Sequence, residues 1–200
     1  MNAKSDDKRR QITTVAAELF AERGFDATSI DDIVQRIGGS KSTIYSYFGS
    51  KDGLLNHVLD VDHSGWIDLM SDTLLDGGDL HAGFTSFGIA YLTRMLGTHA
   101  IGHLRIGIAQ STTSDIGRAY YRRVLKPAWN MIADRIERLM DQDRLVRADP
   151  WLAAMHWKGL TECGLDERRL LGELDRAEAD EIAAAATAGA TAFLCIYGRK

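Results

Sequence analysis

Hydrogen-bonding side chains crowd the segment 40–47, which reads Ser-Lys-Ser-Thr-Ile-Tyr-Ser-Tyr. Six of these eight residues carry a hydroxyl and one carries an ammonium group. Such groups contact phosphate oxygens and base edges, whereas an ordinary solvated helix face carries paired Glu and Lys. The composition of the segment therefore favours contact with nucleic acid.

Two helices are predicted before this segment. Apolar residues between Lys8 and Glu22 recur every three or four positions, the period of an amphipathic helix, and Gly24 ends that helix. The second helix is predicted to begin with Thr28 as N-cap and Asp31 at the capping-box position.

A third short helix is predicted to carry the polar segment itself. The second helix stops at Gly38-Gly39, Ser40 caps the next, and the third helix runs over 41–48 with Ile44 on its apolar side. Helix, glycine-containing turn and helix together make a helix-turn-helix motif.

The stretch GFDATSIDDIVQRIGGSKSTIYSYFGSKDGLL resembles the DNA-binding domain of the TetR family of transcriptional regulators. The marks are Leu19-Phe20, Gly24-Phe25, Thr28, Ile44-Tyr45-x-Tyr47-Phe48 and Lys51. The resemblance implies an all-helical homodimer whose C-terminal domain binds a small ligand and dimerises. Residues 103–171 are similar to the C-terminal domain of AefR-like members. Gly38-Gly39 departs from the pattern, which usually has a branched apolar residue after the first glycine.

Ten residues are predicted to contact DNA. Those in the first turn of the third helix should read base edges, those at helix N-termini should bind phosphate, and the tyrosine hydroxyls should clamp phosphates. They are Thr28, Ser29, Ser40, Lys41, Ser42, Thr43, Tyr45, Ser46, Tyr47 and Lys51. For Tyr47, packing within the small domain stays an open alternative.

The remainder of the chain is predicted to be helical, with no alternating strand pattern. The expected helices cover 51–75, 79–97, 101–111, 115–143 with a break at Pro127, 150–171 and 176–197. The fold class is therefore all-α, with a helix-turn-helix DNA-binding domain over 1–50. A larger helical domain for ligand binding and dimerisation follows over 51–200.

An effector site is expected among large side chains of the second domain, several of which pair an apolar body with a polar handle. The predicted ligand-binding residues are Trp66, Met70, Phe87, Tyr91, His103, Tyr120, Trp129 and Trp157. Their character favours a small apolar or aromatic effector.

Other chemistry has little support in the sequence. His99 and His103 have the i, i+4 spacing of two metal ligands but no evident third, so neither metal nor cofactor is predicted. Cys163 and Cys195 are expected to be buried small apolar residues. No catalytic set or nucleotide-binding fingerprint occurs, and we do not expect an enzyme.

The leading hypothesis is a ligand-responsive repressor that binds a palindromic operator in double-stranded DNA as a homodimer. Alternatives are an activator or nucleoid-type binder, a metal-dependent sensor, or a helical enzyme with a vestigial helix-turn-helix. The net charge of −4 excludes a wholly basic nucleic-acid binder. With two cysteines and no apolar leader or long apolar run, the chain is expected in the cytoplasm without membrane contact.

Overall fold

The computed structural model describes residues 3–61, 78–112 and 116–199. The chain divides into two compact units, one drawn from 1–64 and 102–124 and the other from 65–101 and 125–200. Trp66 and Met70, two of the predicted ligand-binding residues, lie outside the described residues.

The N-terminal part of the first unit is a set of helices around one apolar centre. The helices are α1 (Ala3–Arg23), α2 (Ile30–Ile37), α3 (Lys41–Phe48) and α4 (Lys51–Val61). Ile12, Leu19 and Phe20 of α1, Ile33 of α2 and Leu54 of α4 are at most 1% exposed. The apolar stripe predicted between Lys8 and Glu22 is thus the face that α1 buries.

The N-terminus of α2 corrects the sequence prediction by one residue. Ser29 is the N-cap, and it forms the capping box with Asp32 rather than Asp31. Thr28 is fully buried, and its hydroxyl donates to the carbonyls of Leu19 and Gly24 at 3.2 and 2.8 Å. Thr28 therefore fastens the loop before α2 to α1.

Both glycines of the turn between α2 and α3 adopt backbone angles with positive φ. Gly38 has φ 69° and Gly39 has φ 116°, and side chains at such backbone angles are strained even where space is free. The departure from the usual family pattern therefore accompanies a turn that only glycine adopts easily. α3 itself begins after the N-cap Ser40 and ends before Gly49, as predicted.

The first unit also contains the later part of α6 (Thr98–Ala109), α7 (Ile116–Tyr120) and most of a π-helical turn over Tyr121–Leu125. The π-helical turn leads into α8 (Lys126–Asp141), whose first turn contains Pro127. Proline has no N–H to continue the preceding hydrogen-bond ladder. This accounts for the break predicted at Pro127.

The second unit packs its helices around a larger core. It contains α5 (Leu80–Met95), α8, α9 (Pro150–Glu162), α10 (Leu165–Leu171) and α11 (Ala179–Tyr197). Trp157, Phe84, Phe193 and Ile136 are fully buried in the core cluster. Asp149 caps α9 and Pro150 occupies its first turn, as predicted.

Small residues let α11 approach its neighbours closely. A Cβ atom at Gly189 would lie 2.8 Å from the Cα of Thr161, and one at Gly88 would lie 2.9 Å from the Cβ of Ala186. Both distances are shorter than side chains tolerate, so glycine is needed where α11 crosses α9 and α5.

Two predictions for this unit are wrong. The helix expected over 150–171 is interrupted because Cys163 (φ 50°) and Gly164 (φ 80°) adopt left-handed conformations, which end α9 and redirect the chain into α10. Cys163 and Cys195, predicted to be buried, are both exposed. Cys163 lies at that turn and Cys195 on the outer side of α11.

Candidate nucleic-acid interface

The surface of α3 divides into an apolar side and a hydroxyl-rich side. Ile44 and Phe48 are 1% and 8% exposed, which holds the helix on the unit, whereas Tyr45 is 46% exposed. Ser42 and Ser46 are also exposed. The side turned to solvent can therefore donate and accept hydrogen bonds along about two turns.

The N-terminus of α3 carries a compact hydroxyl network. The Oγ atom of Ser40 lies 2.7 Å from Oγ of Ser42 and 3.0 Å from Oγ1 of Thr43. Ser46 donates to the carbonyl of Thr43 at 2.8 Å. The first turn, which in helix-turn-helix proteins meets the base edges, thus presents preoriented hydroxyls.

Lys41 at the start of α3 is paired with a carboxylate of α2. Its Nζ atom lies 2.8 Å from Oδ2 of Asp31, and both side chains are more than half exposed. The hydrogen bond to Asp31 and the charge of that carboxylate raise the pKa of Lys41 above its ordinary value. The ammonium is therefore charged at neutral pH and is ion-paired with Asp31.

The side chains of Tyr47 and Lys51 both contact other parts of the DNA-binding unit. Tyr47 is half-buried, and its hydroxyl accepts a hydrogen bond from Ser5 at 3.2 Å. The Nζ atom of Lys51 lies 4.3 Å from the ring centroid of Phe25 and 3.5 Å from the carbonyl oxygen of Asp26. Lys51, the first residue of α4, therefore stabilises the turn before α2 through its contacts with Phe25 and Asp26.

Thr28 and Ser29, which are both predicted to contact phosphate at the N-terminus of α2, differ in exposure. Ser29 is exposed, although its hydroxyl and amide both bond to Asp32 at 2.5 and 2.7 Å. These hydrogen bonds lower the pKa of Asp32 below its ordinary value. Since Thr28 has no exposed surface, a phosphate contact by Thr28 was wrongly predicted.

The predicted ligand-binding residues that the structure describes are divided between the two units. Phe87, Tyr91 and Trp157 meet in the second unit, where the ring centroids of Phe87 and Trp157 are 4.7 Å apart and those of Tyr91 and Trp157 are 5.1 Å apart. His103 and Tyr120 lie instead in the first unit, with ring centroids 6.2 Å apart. A site containing all of these residues stays a prediction.

A buried carboxylate that the sequence analysis missed completes the aromatic group. Tyr91 donates to Oε1 of Glu162 at 2.6 Å, and Lys158 donates to its Oε2 at 2.6 Å. The Nζ atom of Lys158 also lies 5.4 Å from the ring centroid of Trp129. The only signal in the sequence was the i, i+4 spacing of Lys158 and Glu162.

The ionisation of this group follows from its environment. Burial raises the pKa of Glu162 above its ordinary value, although Lys158 and Tyr91 act in the opposite direction. Burial and the neighbouring charge of Glu162 also raise the pKa of Tyr91. Tyr91 therefore remains a hydrogen-bond donor at neutral pH.

One further polar group in the aromatic cluster is unsatisfied. Nε1 of Trp157 is buried and has no hydrogen-bond partner in the part of the chain that the structure describes.

Within those same described ranges, no three His, Cys, Asp or Glu side chains are grouped so that they could hold a metal ion.

Family models match both parts of the chain. Residues 12–58 match the model described as bacterial regulatory proteins of the tetR family, and residues 82–199 match the AefR-like transcriptional repressor C-terminal domain. The second match spans more than half of the chain. The chain belongs to the TetR family of DNA-binding transcriptional regulators, with a C-terminal domain of the AefR-like type.

Individual relatives agree with this classification. The HTH-type transcriptional activator FasR of Mycolicibacterium smegmatis is 41% identical over 54 residues, covering 27% of this chain and 25% of FasR. The chain thus matches about a quarter of that relative's length. A TetR-family regulator from Mesorhizobium loti has a TM-score of 0.89 at 24% identity, covering 99% of this chain and all of the other.

A structure described as the flavonoid-responsive regulator FrrA has a TM-score of 0.72 at 25% identity. The match covers 98% of this chain and 99% of FrrA. The all-α fold and the N-terminal helix-turn-helix predicted from the sequence are confirmed by these similarities.

Proposed function

We propose that the protein is a ligand-responsive transcriptional repressor that binds a palindromic operator as a homodimer in the cytoplasm. The observation that carries this proposal is the exposed hydroxyl-rich side of α3, with Lys41, Ser42 and Thr43 in its first turn. These residues read base edges in the major groove. Ser29, Tyr45, Tyr47 and Lys51 contact phosphates and fix the register.

The sign of regulation is supported by the type of C-terminal domain, since the matching family model is described as a transcriptional repressor. FasR, which matches over 54 residues only, is described as an activator. The first test is a pull-down of sheared DNA from the source organism with the purified protein. Enrichment of palindromic sites that overlap promoter elements supports repression. Enrichment upstream of those elements contradicts it.

Dimerisation is supported by the outer surfaces of α9 and α11. No Asp, Glu, Lys or Arg occurs between 182 and 198, yet Ala188, Cys195 and Ile196 are exposed. On the adjoining α9, Leu152 is 51% exposed. A second copy of this surface, which we call the α9/α11 face, covers it by forming a four-helix bundle about a two-fold axis.

The composition of α11 accords with such a covered surface. By length and composition the helix is apolar enough to cross a membrane, and 28% of its most apolar 18-residue stretch is buried within the chain. Apolar helices of soluble proteins pass the same test. An interface between two copies removes the exposed apolar surface from water without requiring a membrane.

The effector is proposed to bind beside Phe87, Tyr91, Trp129 and Trp157. The buried indole N–H of Trp157 needs an acceptor, since leaving such a donor unsatisfied costs roughly 1–3 kcal/mol. An aromatic ligand bearing a carbonyl or hydroxyl oxygen supplies both stacking surface and that acceptor. The similarity to FrrA, described as flavonoid-responsive, favours the same class.

The effector proposal is tested by linkage with naringenin, a flavonoid, as the probe. Effector and operator must weaken each other's binding by the same factor. Naringenin that lowers operator affinity, and binds the DNA complex more weakly by an equal factor, supports the proposal. Binding unaffected by DNA contradicts it. A Trp157→Phe variant, which lacks the indole donor, should bind naringenin more weakly.

A further inference from the structure

The second unit contains a cavity of about 510 Å³ at the end of α5. It lies between the last turns of α5, the turn at Gly97 and the loop that joins α10 to α11. Its lining includes none of the aromatic residues proposed to bind the effector. We call it the Ile182 cavity. Its volume falls within the range of small-molecule sites, roughly 300–1,000 Å³.

One buried arginine joins two walls of the Ile182 cavity. Arg169 of α10 is 7% exposed, and its Nε atom donates to the carbonyl oxygen of Leu96 at 3.0 Å. Its Nη1 atom donates to the carbonyl oxygen of Leu174 at 2.7 Å and also to that of Asp175. These hydrogen bonds fasten the end of α5 to the loop after α10, so the position of the two walls is set within the unit.

The inner surface of the Ile182 cavity is aliphatic. Leu96, Ala177 and Ile182 line it and are 4%, 9% and 7% exposed. Ile89 of α5 is half-buried and lines the same cavity. None of the described residues that line the cavity is aromatic. This surface therefore suits a branched aliphatic group, whose burial removes apolar surface from water.

Two oppositely charged residues of the loop line the cavity beside this aliphatic surface. Asp175 and Arg176 are both exposed. Within the described ranges, neither side chain has a hydrogen bond or an ion pair, either with the other or with a third residue. Thr98, the first residue of α6, adds an exposed hydroxyl to the lining. The cavity thus offers one available carboxylate and one available guanidinium group.

We propose that the Ile182 cavity binds a free aliphatic α-amino acid. Arg176 and Thr98 donate hydrogen bonds to its carboxylate, and Asp175 accepts hydrogen bonds from its ammonium group. Guanidinium groups bind carboxylates through paired N–H donors. The aliphatic side chain packs on Ile89 and Ile182. A ligand with only one of the two charges leaves the opposite charged residue without a partner, so the site selects for both.

The test is a titration of the full-length protein with L-leucine, followed by NMR of ¹³C-labelled isoleucine methyl groups. Isocaproate lacks only the ammonium group of leucine, and isoamylamine lacks only its carboxylate. The resonances of Ile89 and Ile182 should shift saturably with leucine, and at least about tenfold more of either analogue should be needed for the same shift. Neither DNA nor an aromatic effector is present, so the result is independent of the proposed function.

Matched variants locate the binding. Asp175→Asn and Arg176→Gln should each weaken leucine binding about tenfold. Asp134→Asn and Arg138→Gln make the same changes of charge at exposed positions of α8 that do not line the cavity, and they should leave leucine binding unchanged. The proposal is overturned if neither isoleucine resonance moves, if isocaproate or isoamylamine binds as tightly as leucine, or if Asp175→Asn or Arg176→Gln binds leucine like the original protein.

Discussion

The ammonium of Lys41 and the carboxylate of Asp31 lie 2.8 Å apart, joining the first residue of α3 to the preceding helix. Both side chains are exposed, so solvent screens the pair and it contributes little to stability. It does place a negative charge beside the proposed base-reading turn. The proposed function predicts that DNA binding exchanges this ion pair for contacts of Lys41 with the operator.

Lys41→Ala is expected to weaken operator binding by roughly 1–3 kcal/mol and to relax discrimination at one base pair. Lys51→Ala should instead weaken binding to all sequences alike and reduce its salt dependence, because Lys51 is proposed to contact phosphate. Fluorescence anisotropy with the operator and single-base variants measures both effects. If Lys41→Ala scales every affinity equally, Lys41 does not read a base.

Asp31→Asn is expected to strengthen binding to operator and non-operator DNA alike. The substitution removes a negative charge near the phosphates and releases Lys41 from its partner. Asp7→Asn, at an exposed ion pair with Arg10, serves as the control for a general change in net charge. Weaker binding by Asp31→Asn would show that the carboxylate positions Lys41 productively.

The helix-turn-helix was predictable because local chemistry determines it. Ser40 and Gly49 delimit α3 in the sequence as they do in the structure. The N-cap of α2 was misplaced because Thr28 and Ser29 are both good caps, and only tertiary structure engages the Thr28 hydroxyl with Leu19 and Gly24. The exposure of Cys195 was not predicted because α11 has small residues on all of its sides. The sequence therefore does not indicate which side of α11 another helix covers.

The spatial arrangement of the predicted ligand-binding residues was only partly predictable for a related reason. Aromatic residues were recognised by type, but type does not tell which of them meet in space. Phe87, Tyr91 and Trp157 come together, whereas His103 packs with Tyr120 in the other unit. Glu162 was overlooked because an acidic residue in a sequence normally indicates a solvent-exposed position. The burial of Glu162 depends on packing with Tyr91 from α5, which the sequence does not show.

Gly189→Ala is expected to lower the free energy of unfolding by about 1–3 kcal/mol, because the new methyl group would meet backbone atoms of Thr161 that have nowhere to move. Gly107→Ala is the matched control in another helix, since its Cβ would lie 3.6 Å from Tyr120, an ordinary contact. Urea denaturation at fixed protein concentration measures both. Equal stability of the two variants would contradict the close crossing.

Stability should depend on pH through Glu162. Burial raises the pKa of this carboxyl above 4.5, so the folded protein retains a proton that the unfolded chain has released. The contribution of Glu162 to stability therefore falls as pH rises from 4.5 through the raised pKa. Relative to Glu162→Gln, the original protein should lose free energy of unfolding over that interval. Parallel pH profiles would contradict the burial of an ionisable group.

Charge on the α9/α11 face should separate the dimer. Ala188→Glu places a carboxylate at an exposed position of α11 without disturbing the core of the subunit, and it should shift sedimentation towards the monomer. Gln142→Glu, exposed at the end of α8, controls for the added charge. A dimer that survives Ala188→Glu combined with Ala192→Glu would place the interface elsewhere.

Recognition of a specific DNA sequence by α3 is tested by an anisotropy titration. The full-length protein is titrated into labelled DNA from upstream of its own gene and into a scrambled duplex of equal length and composition, at the same salt concentration. We expect the protein to bind the upstream DNA at least about a thousandfold more tightly than the scrambled duplex, in line with the lower bound of roughly 10³ for specific over non-specific binding. We also expect Lys41→Ala to reduce this ratio of affinities. Equal affinity for upstream, scrambled and pull-down-selected DNA would contradict sequence recognition by this helix.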